Sequence, residues 1–216
     1  MSKRPRLGWL GGTFDPIHCG HLDVARAAHT ALALGTVRLV PTRVPPHRSA
    51  AHAPPKHRWA MVTLAAQAHD WLGVSDDELQ ADGPSYTIHT LNRLEEQGMD
   101  LGGLHVITGA DAFATILDWK DATQLIDRCH FVVVSRPGHQ AQALRQTLPM
   151  LATRMLDAKS YVEASTPSIF LVDTPTAPVS STEIRNRVAA GQSLDGLVPE
   201  AIATYIDTHG LYRGEA

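Results

Sequence analysis

The chain has too little cysteine for a disulfide-built fold. Only Cys19 and Cys129 occur in 216 residues, and a bridge at Cys19 would obstruct the glycine-rich stretch described below. Uninterrupted apolar runs of membrane-span length are missing as well. The opening Met-Ser-Lys-Arg-Pro-Arg is basic but has no apolar run behind it, so it does not read as a secretory signal. An excess of positive charge is also lacking: 19 Lys and Arg stand against 22 Asp and Glu, a formal net charge of -3. That balance supplies no global field for nucleic acid, so cationic groups must act locally. These absences lead to the expectation of a cytoplasmic protein that binds neither membrane nor nucleic acid. No internal repeat of solenoid period appears. The opening turn is not Gly-x-Gly-x-x-Gly, which argues against a dehydrogenase, and no Cys-x-x-Cys or His-Glu-x-x-His metal frame is present.

What is there alternates strand and helix signals along a length that suits one α/β domain spanning residues 1–216. Leu7–Leu10, Val37–Val40, Trp71–Val74, Leu104–Thr108, Phe131–Ser135 and Ile169–Val172 read as short buried strands. Between them, Leu22, Ala25, Ala28 and Leu32 keep helical spacing up to Gly35; Met61, Leu64 and Ala65 do so within 57–68; Ile88, Leu91 and Leu94 do so up to Gly98. Ile184 and Val188, then Ala201 to Ile206, belong to closing helices. Residues 139–166 are helix-prone, interrupted by Pro149, and carry no recognisable site.

The first strand runs into Gly11-Gly12-Thr13-Phe14-Asp15-Pro16-Ile17-His18-Cys19-Gly20-His21-Leu22. A glycine-rich turn from strand to helix puts free N–H groups and the positive end of the helix dipole at the carboxyl edge of a sheet, where anions bind. His18 and His21, three residues apart, share a face of the first helical turn, and Gly20 leaves bare backbone between them. Such a pair fits a nucleotide phosphate. It also fits zinc, although donor count weighs against that, or a helix cap beside a solvated imidazole. A second anion site is indicated at Val179-Ser180-Ser181-Thr182-Glu183-Ile184-Arg185, where Ser180 and Glu183 make a capping box and three hydroxyls precede Arg185.

Taken together, the His-x-Gly-His element, the Gly-Gly-Thr-Phe-Asp-Pro turn before it and the Ser-Ser-Thr-x-Ile-Arg run resemble the nucleotidyltransferase superfamily. Ser85-Tyr86-Thr87 and Asp118-Trp119-Lys120 narrow the resemblance to the bacterial nicotinate-nucleotide adenylyltransferases. Val198-Pro199 to Ile206 and Gly210-Leu211-Tyr212 also resemble that family's closing segment. The resemblance implies a Rossmann-like, doubly wound parallel sheet of the nucleotidyltransferase type. It further implies transfer of AMP from ATP to nicotinate mononucleotide, with Mg2+ held mainly through ATP phosphates and water and no protein metal ligand assigned.

By the same resemblance, His18, His21 and Arg185 are the expected catalytic groups. Gly11, Gly12, Thr13, Phe14, Gly20, Gly109, Asp111, Arg136, Ser181 and Thr182 are expected at ATP, and His47, Arg48, Ser85, Tyr86, Thr87, Trp119 and Lys120 at the mononucleotide. Arg58 is a further candidate phosphate contact. Each has a plainer account: Asp111 as a helix cap after a tight Gly109 turn, Ser85 and Thr87 as hydroxyl caps, Trp119 as core, Arg48 and Arg58 as solvated cations. Trp119 lies among charged residues, poorly placed for full burial and well placed to stack on an electron-poor ring. Phosphopantetheine adenylyltransferase is the nearest alternative, but such chains lack the Ser-Tyr-Thr and Trp-Lys elements. No Lys-Met-Ser-Lys-Ser run supports a synthetase. A nucleotide-binding regulator without turnover, or a histidine-rich metal-binding protein, stands as the reading from another class. A homo-oligomer is compatible with the sequence, which does not set the oligomeric state.

Overall fold

The computed structural model describes residues 6–45, 51–158 and 166–214. Seven strands form one sheet: β1 (Leu7–Gly12), β2 (Thr36–Pro41), β3 (Leu72–Val74), β4 (Leu104–Gly109), β5 (His130–Val134), β6 (Met155–Asp157) and β7 (Ile169–Val172). Every pairing is parallel, in the order β3-β2-β1-β4-β5-β7-β6. The central strands are continuous apolar runs because both faces of a parallel sheet are covered. Successive residues nevertheless serve opposite layers. In β5, Phe131 and Val133 pack into one core while Val132 and Val134 pack into the other; in β7, Ile169 and Leu171 separate from Phe170 and Val172 in the same way.

One core layer lies under α1 (Cys19–Leu32), α2 (Pro55–Gln67), α8 (Ser181–Ala189) and α9 (Glu200–Thr208), through Leu22, Ala25, Met61, Ile184 and Ile202. The other lies under α4 (Thr87–Glu96), α5 (Ala110–Phe113) and α6 (Ala122–Arg128), through Ile88, Leu91, Phe113 and Leu125. Among the described residues, short α3 (Asp77–Gln80) and α7 (Leu144–Thr147) are the remaining α-helices. The doubly wound expectation is met. Because β1 pairs with β2 on one side and β4 on the other, the strand order reverses there, and a crevice opens beyond the carboxyl ends of β1 and β4.

Three local expectations change. The first helix ends at Leu32 rather than near Gly35: Ala33 turns the chain with φ 48°, Leu34 N–H donates to His29 O, and Leu34 is buried. The second begins at Pro55, whose missing N–H costs nothing in a first turn. Within the helix-prone span 139–166, broken at Pro149, residues 139–158 form short 3-10 turns, α7 and an unexpected edge strand β6, while 159–165 lie outside the described residues. Far from the crevice, His105 and His130 stack with centroids 4.8 Å apart, and burial lowers the pKa of both, His105 to about 4.

Candidate active site

The β1 turn is shaped by Phe14 as much as by glycine. Phe14 adopts φ 49°, and a Cβ on Gly12 would crowd its ring at 3.1 Å. Phe14 in turn meets the His21 ring edge-on, with centroids 5.0 Å apart. His18 is the N-cap of α1, its main-chain N–H donates to His21 Nδ1 at 3.3 Å, and the two imidazoles stack at 3.7 Å. They therefore present one paired surface to the crevice. Burial, then the charge of Arg136, lowers His18 to about 3, so its imidazole is uncharged at neutral pH. Gly20 turns out to make room for the chain itself. A Cβ there would come within 3.1 Å of Ala177 O and 3.2 Å of Arg136 Nη1, and Arg136 donates to Gly20 O at 3.3 Å.

Facing this turn, α8 presents its N-terminus. Ser180 caps it, its hydroxyl accepting from Glu183 N–H at 3.1 Å, while the Glu183 carboxylate pairs with Arg187 instead of closing the capping box. The Ser181 hydroxyl donates to Pro16 O at 2.9 Å and fastens α8 to the β1 turn. Arg185 donates to Asp15 O at 2.7 Å and to Thr182 Oγ1 at 3.1 Å, which leaves the guanidinium at the crevice wall. The Asp15 carboxylate is itself buried, accepting from His52 N–H at 2.7 Å and Ala53 N–H at 3.0 Å.

The other end of the crevice is made by shorter elements. No side chain caps α4, whose N-cap is Tyr86, so the hydroxyl-cap account of Ser85 and Thr87 does not hold. Ser85 instead buckles two loops together: its N–H donates to Val44 O at 2.9 Å and its hydroxyl accepts from Arg43 N–H at 3.0 Å. Trp119 is half-buried, packed on the core yet lining the crevice, and Lys120 Nζ lies 5.2 Å from the centroid of the Tyr86 ring. Asp111 lies exposed in the first turn of α5, not at its cap, which is Gly109. A Cβ on Gly109 would strike Asp111 Oδ1 and crowd Arg136 Cγ at 3.0 Å. Behind Ser85, Glu78 is buried, accepts from Thr90 Oγ1 at 2.9 Å, and burial raises its pKa to about 7.

These walls enclose a cavity of about 520 Å³, a size suited to small-molecule ligands. The cytidylyltransferase-like family matches residues 9–187. A Roseiflexus protein named as a probable nicotinate-nucleotide adenylyltransferase is 39% identical over 216 residues, covering 99% of this chain and all of its own. One of the same name from Pseudomonas syringae pv. tomato is 39% identical over 215 residues, covering 99% of this chain and 96% of its own. The chain belongs to the nicotinate-nucleotide adenylyltransferase family. The nicotinic acid mononucleotide adenylyltransferase of Plasmodium falciparum, solved with NaAD, shares the fold at TM-score 0.75 and 17% identity, over 97% of this chain and 98% of its own.

The sequence of this nicotinate-nucleotide adenylyltransferase family member had pointed to most of the cavity wall. Gly11, Gly12, Thr13, Phe14, His18, His21, Ser85, Tyr86, Thr87, Gly109, Asp111, Trp119, Lys120, Arg136, Ser181, Thr182 and Arg185 all line it. His47 and Arg48 lie outside the described residues. Gly20 is buried behind the wall. Arg58 is no phosphate contact: it is 1% exposed, and its guanidinium donates to the main-chain oxygens of Ala53, Thr13 and Thr42. Asp15, His52 and Glu78 line the cavity without having been singled out. Asp15 at least lay inside the opening motif, whereas Glu78 sits in an acidic run, Asp76-Asp77-Glu78, that carries no mark of burial.

Proposed function

We propose that this cavity joins ATP to nicotinate mononucleotide, releasing pyrophosphate and forming nicotinate adenine dinucleotide. Membership of the family carries the reading, and the meeting of two unlike walls in one cavity supports it. One wall offers stacked imidazoles, Arg136, Arg185 and the α8 N-terminus, chemistry suited to a triphosphate. The other offers an indole, uncapped N–H groups at the start of α4 and a lysine, chemistry suited to a pyridine carboxylate.

The mononucleotide phosphate oxygen attacks the α-phosphorus of ATP in line. The bond from that phosphorus to the bridging oxygen breaks, and the electron pair leaves with pyrophosphate. The protein needs no nucleophile of its own; it positions the reactants and meets the charge that builds on the leaving group. His18, uncharged in the free protein, acts by hydrogen bonding rather than as a fixed cation. Arg185 supplies fixed positive charge from a guanidinium already oriented by Asp15 and Thr182. Arg136 adds charge near the α1 N-terminus, and Trp119 gives the pyridine ring a plane to stack on. The Asp15 carboxylate at this wall already accepts from His52, Ala53 and Tyr212. That wall suits a Mg2+ ion carried on ATP oxygens and water, which when bound offsets phosphate charge.

The reading is tested by pyrophosphate release from MgATP with nicotinate mononucleotide, nicotinamide mononucleotide and phosphopantetheine offered separately. Turnover with the first well above the other two is expected. Turnover with phosphopantetheine alone would overturn it.

A further inference from the structure

Two aromatic residues 198 positions apart in the chain, Phe14 at φ 49° and Tyr212 at φ 61°, both occupy the left-handed region. Bulky side chains rarely stay there unless their surroundings hold them. One hydrogen bond lies between them: Tyr212 Oη donates to Asp15 Oδ1 at 2.8 Å, in the residue next to Phe14. The same carboxylate oxygen accepts from Ala53 N–H, and the other accepts from His52 N–H with His52 Nδ1 at 3.3 Å. The carboxylate is thus held from three directions, while the Asp15 main-chain oxygen takes the 2.7 Å bond from Arg185. Arg185 Nη1 also lies 3.9 Å from Asp15 Oδ2. Asp15 is therefore the joint through which the segment after α9 reaches the cavity wall.

Burial, then the negative charge of Asp15, pushes the Tyr212 hydroxyl well above the usual tyrosine range. It stays protonated and serves as a constant donor. The ring packs beside Leu211 against the core layer of α1 and α8, which fixes where the hydroxyl points. Phenylalanine would keep that packing and lose only the donor.

We propose that Tyr212 is a positioning residue for this site: its phenol fixes Asp15, and Asp15 in turn aims the Arg185 guanidinium and holds the His52–Ala53 wall. The inference rests on the reading above for Arg185's part in the reaction. It asks Tyr212 to touch no substrate, because small displacements of an aligned group cost rate without costing affinity.

The test is a double-mutant cycle on the full chain, with Tyr212→Phe, Arg185→Ala and the double variant assayed by pyrophosphate release. Tyr212→Phe is expected to lower kcat by about tenfold to a hundredfold, with both KM values within about threefold of wild type. On the Arg185→Ala background the same change should lower kcat by less than about threefold, since the group it aims is gone. Undiminished turnover in Tyr212→Phe, or losses that multiply in the double variant, would overturn the proposal. Hydrogen exchange gives a readout independent of turnover. Tyr212→Phe should speed exchange of the His52 and Ala53 amides while the β4 and β5 amides keep their wild-type protection. Unchanged protection at residues 52 and 53, or a loss spread equally over the sheet, would also count against it. Wild type with no turnover on ATP and nicotinate mononucleotide would defeat the functional reading, and the exchange result would still decide whether Tyr212 holds the wall.

Discussion

The two ends of the cavity are built differently. The end proposed for phosphate draws on segments far apart in the chain and ties them by half-buried hydrogen bonds, Arg185 to Asp15 O, Ser181 to Pro16 O, Arg136 to Gly20 O and Tyr212 to the Asp15 carboxylate, and by Cys19 N–H to Leu197 O. At the end proposed for the pyridine ring, Trp119 ends a single 3-10 turn, Lys120 is exposed, and the Ser85 hydroxyl bond to Arg43 N–H, though it too joins distant segments, is exposed. The proposed function accounts for the contrast by what it asks of each end. Charge developing on a leaving group is stabilised only by donors already in place, whereas an aromatic plane tolerates small shifts of a stacked ring.

The strongest way to break that contrast is at the phosphate end. His18→Ala, His21→Ala or Arg185→Ala should each lower kcat by about a hundredfold to a thousandfold, while calorimetry still detects ATP binding. Near-normal turnover in any of the three would remove that residue from the reaction.

Next in size is a pH effect on stability, in which the two ends have opposite signs. Burial holds His18 uncharged, so below the unfolded value of 6.5 the unfolded chain binds the extra proton, and stability falls with pH down to about 3. His105, held to about 4, adds to the same acid loss. Glu78 behaves in reverse. Its folded pKa of about 7 exceeds the ordinary 4.5, so the folded state holds the extra proton across that window, and stability falls as pH rises through it. Glu78→Gln keeps an acceptor for Thr90 and removes the charge. Thermal and urea unfolding should find it more stable than wild type near pH 8 by roughly 1–3 kcal/mol, with the advantage shrinking toward pH 4.5. An equal difference at both ends of the range would mean that ionisation of Glu78 is not the cause.

Trp119→Ala should raise the mononucleotide KM by about tenfold, the scale of one aromatic stacking contact, and leave kcat and the ATP KM within about threefold. Trp119→Phe should recover part of the loss. An unchanged mononucleotide KM would show that the indole serves packing alone. The smallest effect is expected at Lys120, which is exposed and screened. Lys120→Ala should reduce the preference for the acid over the amide mononucleotide by only about twofold to fivefold, measured as a ratio of kcat/KM values. A collapse of that preference would place Lys120, rather than the α4 N–H groups, at the carboxylate.

The elements that the sequence made legible are those set by local rules. Apolar runs and helical spacings locate most strands and helices, and the Gly-Gly-Thr-Phe-Asp-Pro turn marks the strand-to-helix corner that lines the cavity. Edge strand β6 escaped because three residues with two exposed side chains carry no periodic signal. Arg58 was misread because nothing local separates a cation facing phosphate from one buried against carbonyl oxygens. Ser85 looked like a cap and proved to be a buckle between loops. Glu78 sat unnoticed in an acidic run, since burial is a property of what packs above a residue.

By itself the sequence determined the alternating strands and helices, the turn that follows β1 and the residue types available around the cavity. These follow from side-chain periodicity and backbone preference within a few residues. Only the tertiary structure decided how the hydrogen bonds are shared: that Asp15 is held by Tyr212, that Arg185 leans on Asp15 rather than standing free, that Gly20 leaves room for Arg136 and Ala177. Such pairings depend on which groups folding brings within about 3 Å of one another, and that distance is set by the packed sheet and helices rather than by neighbours in the chain.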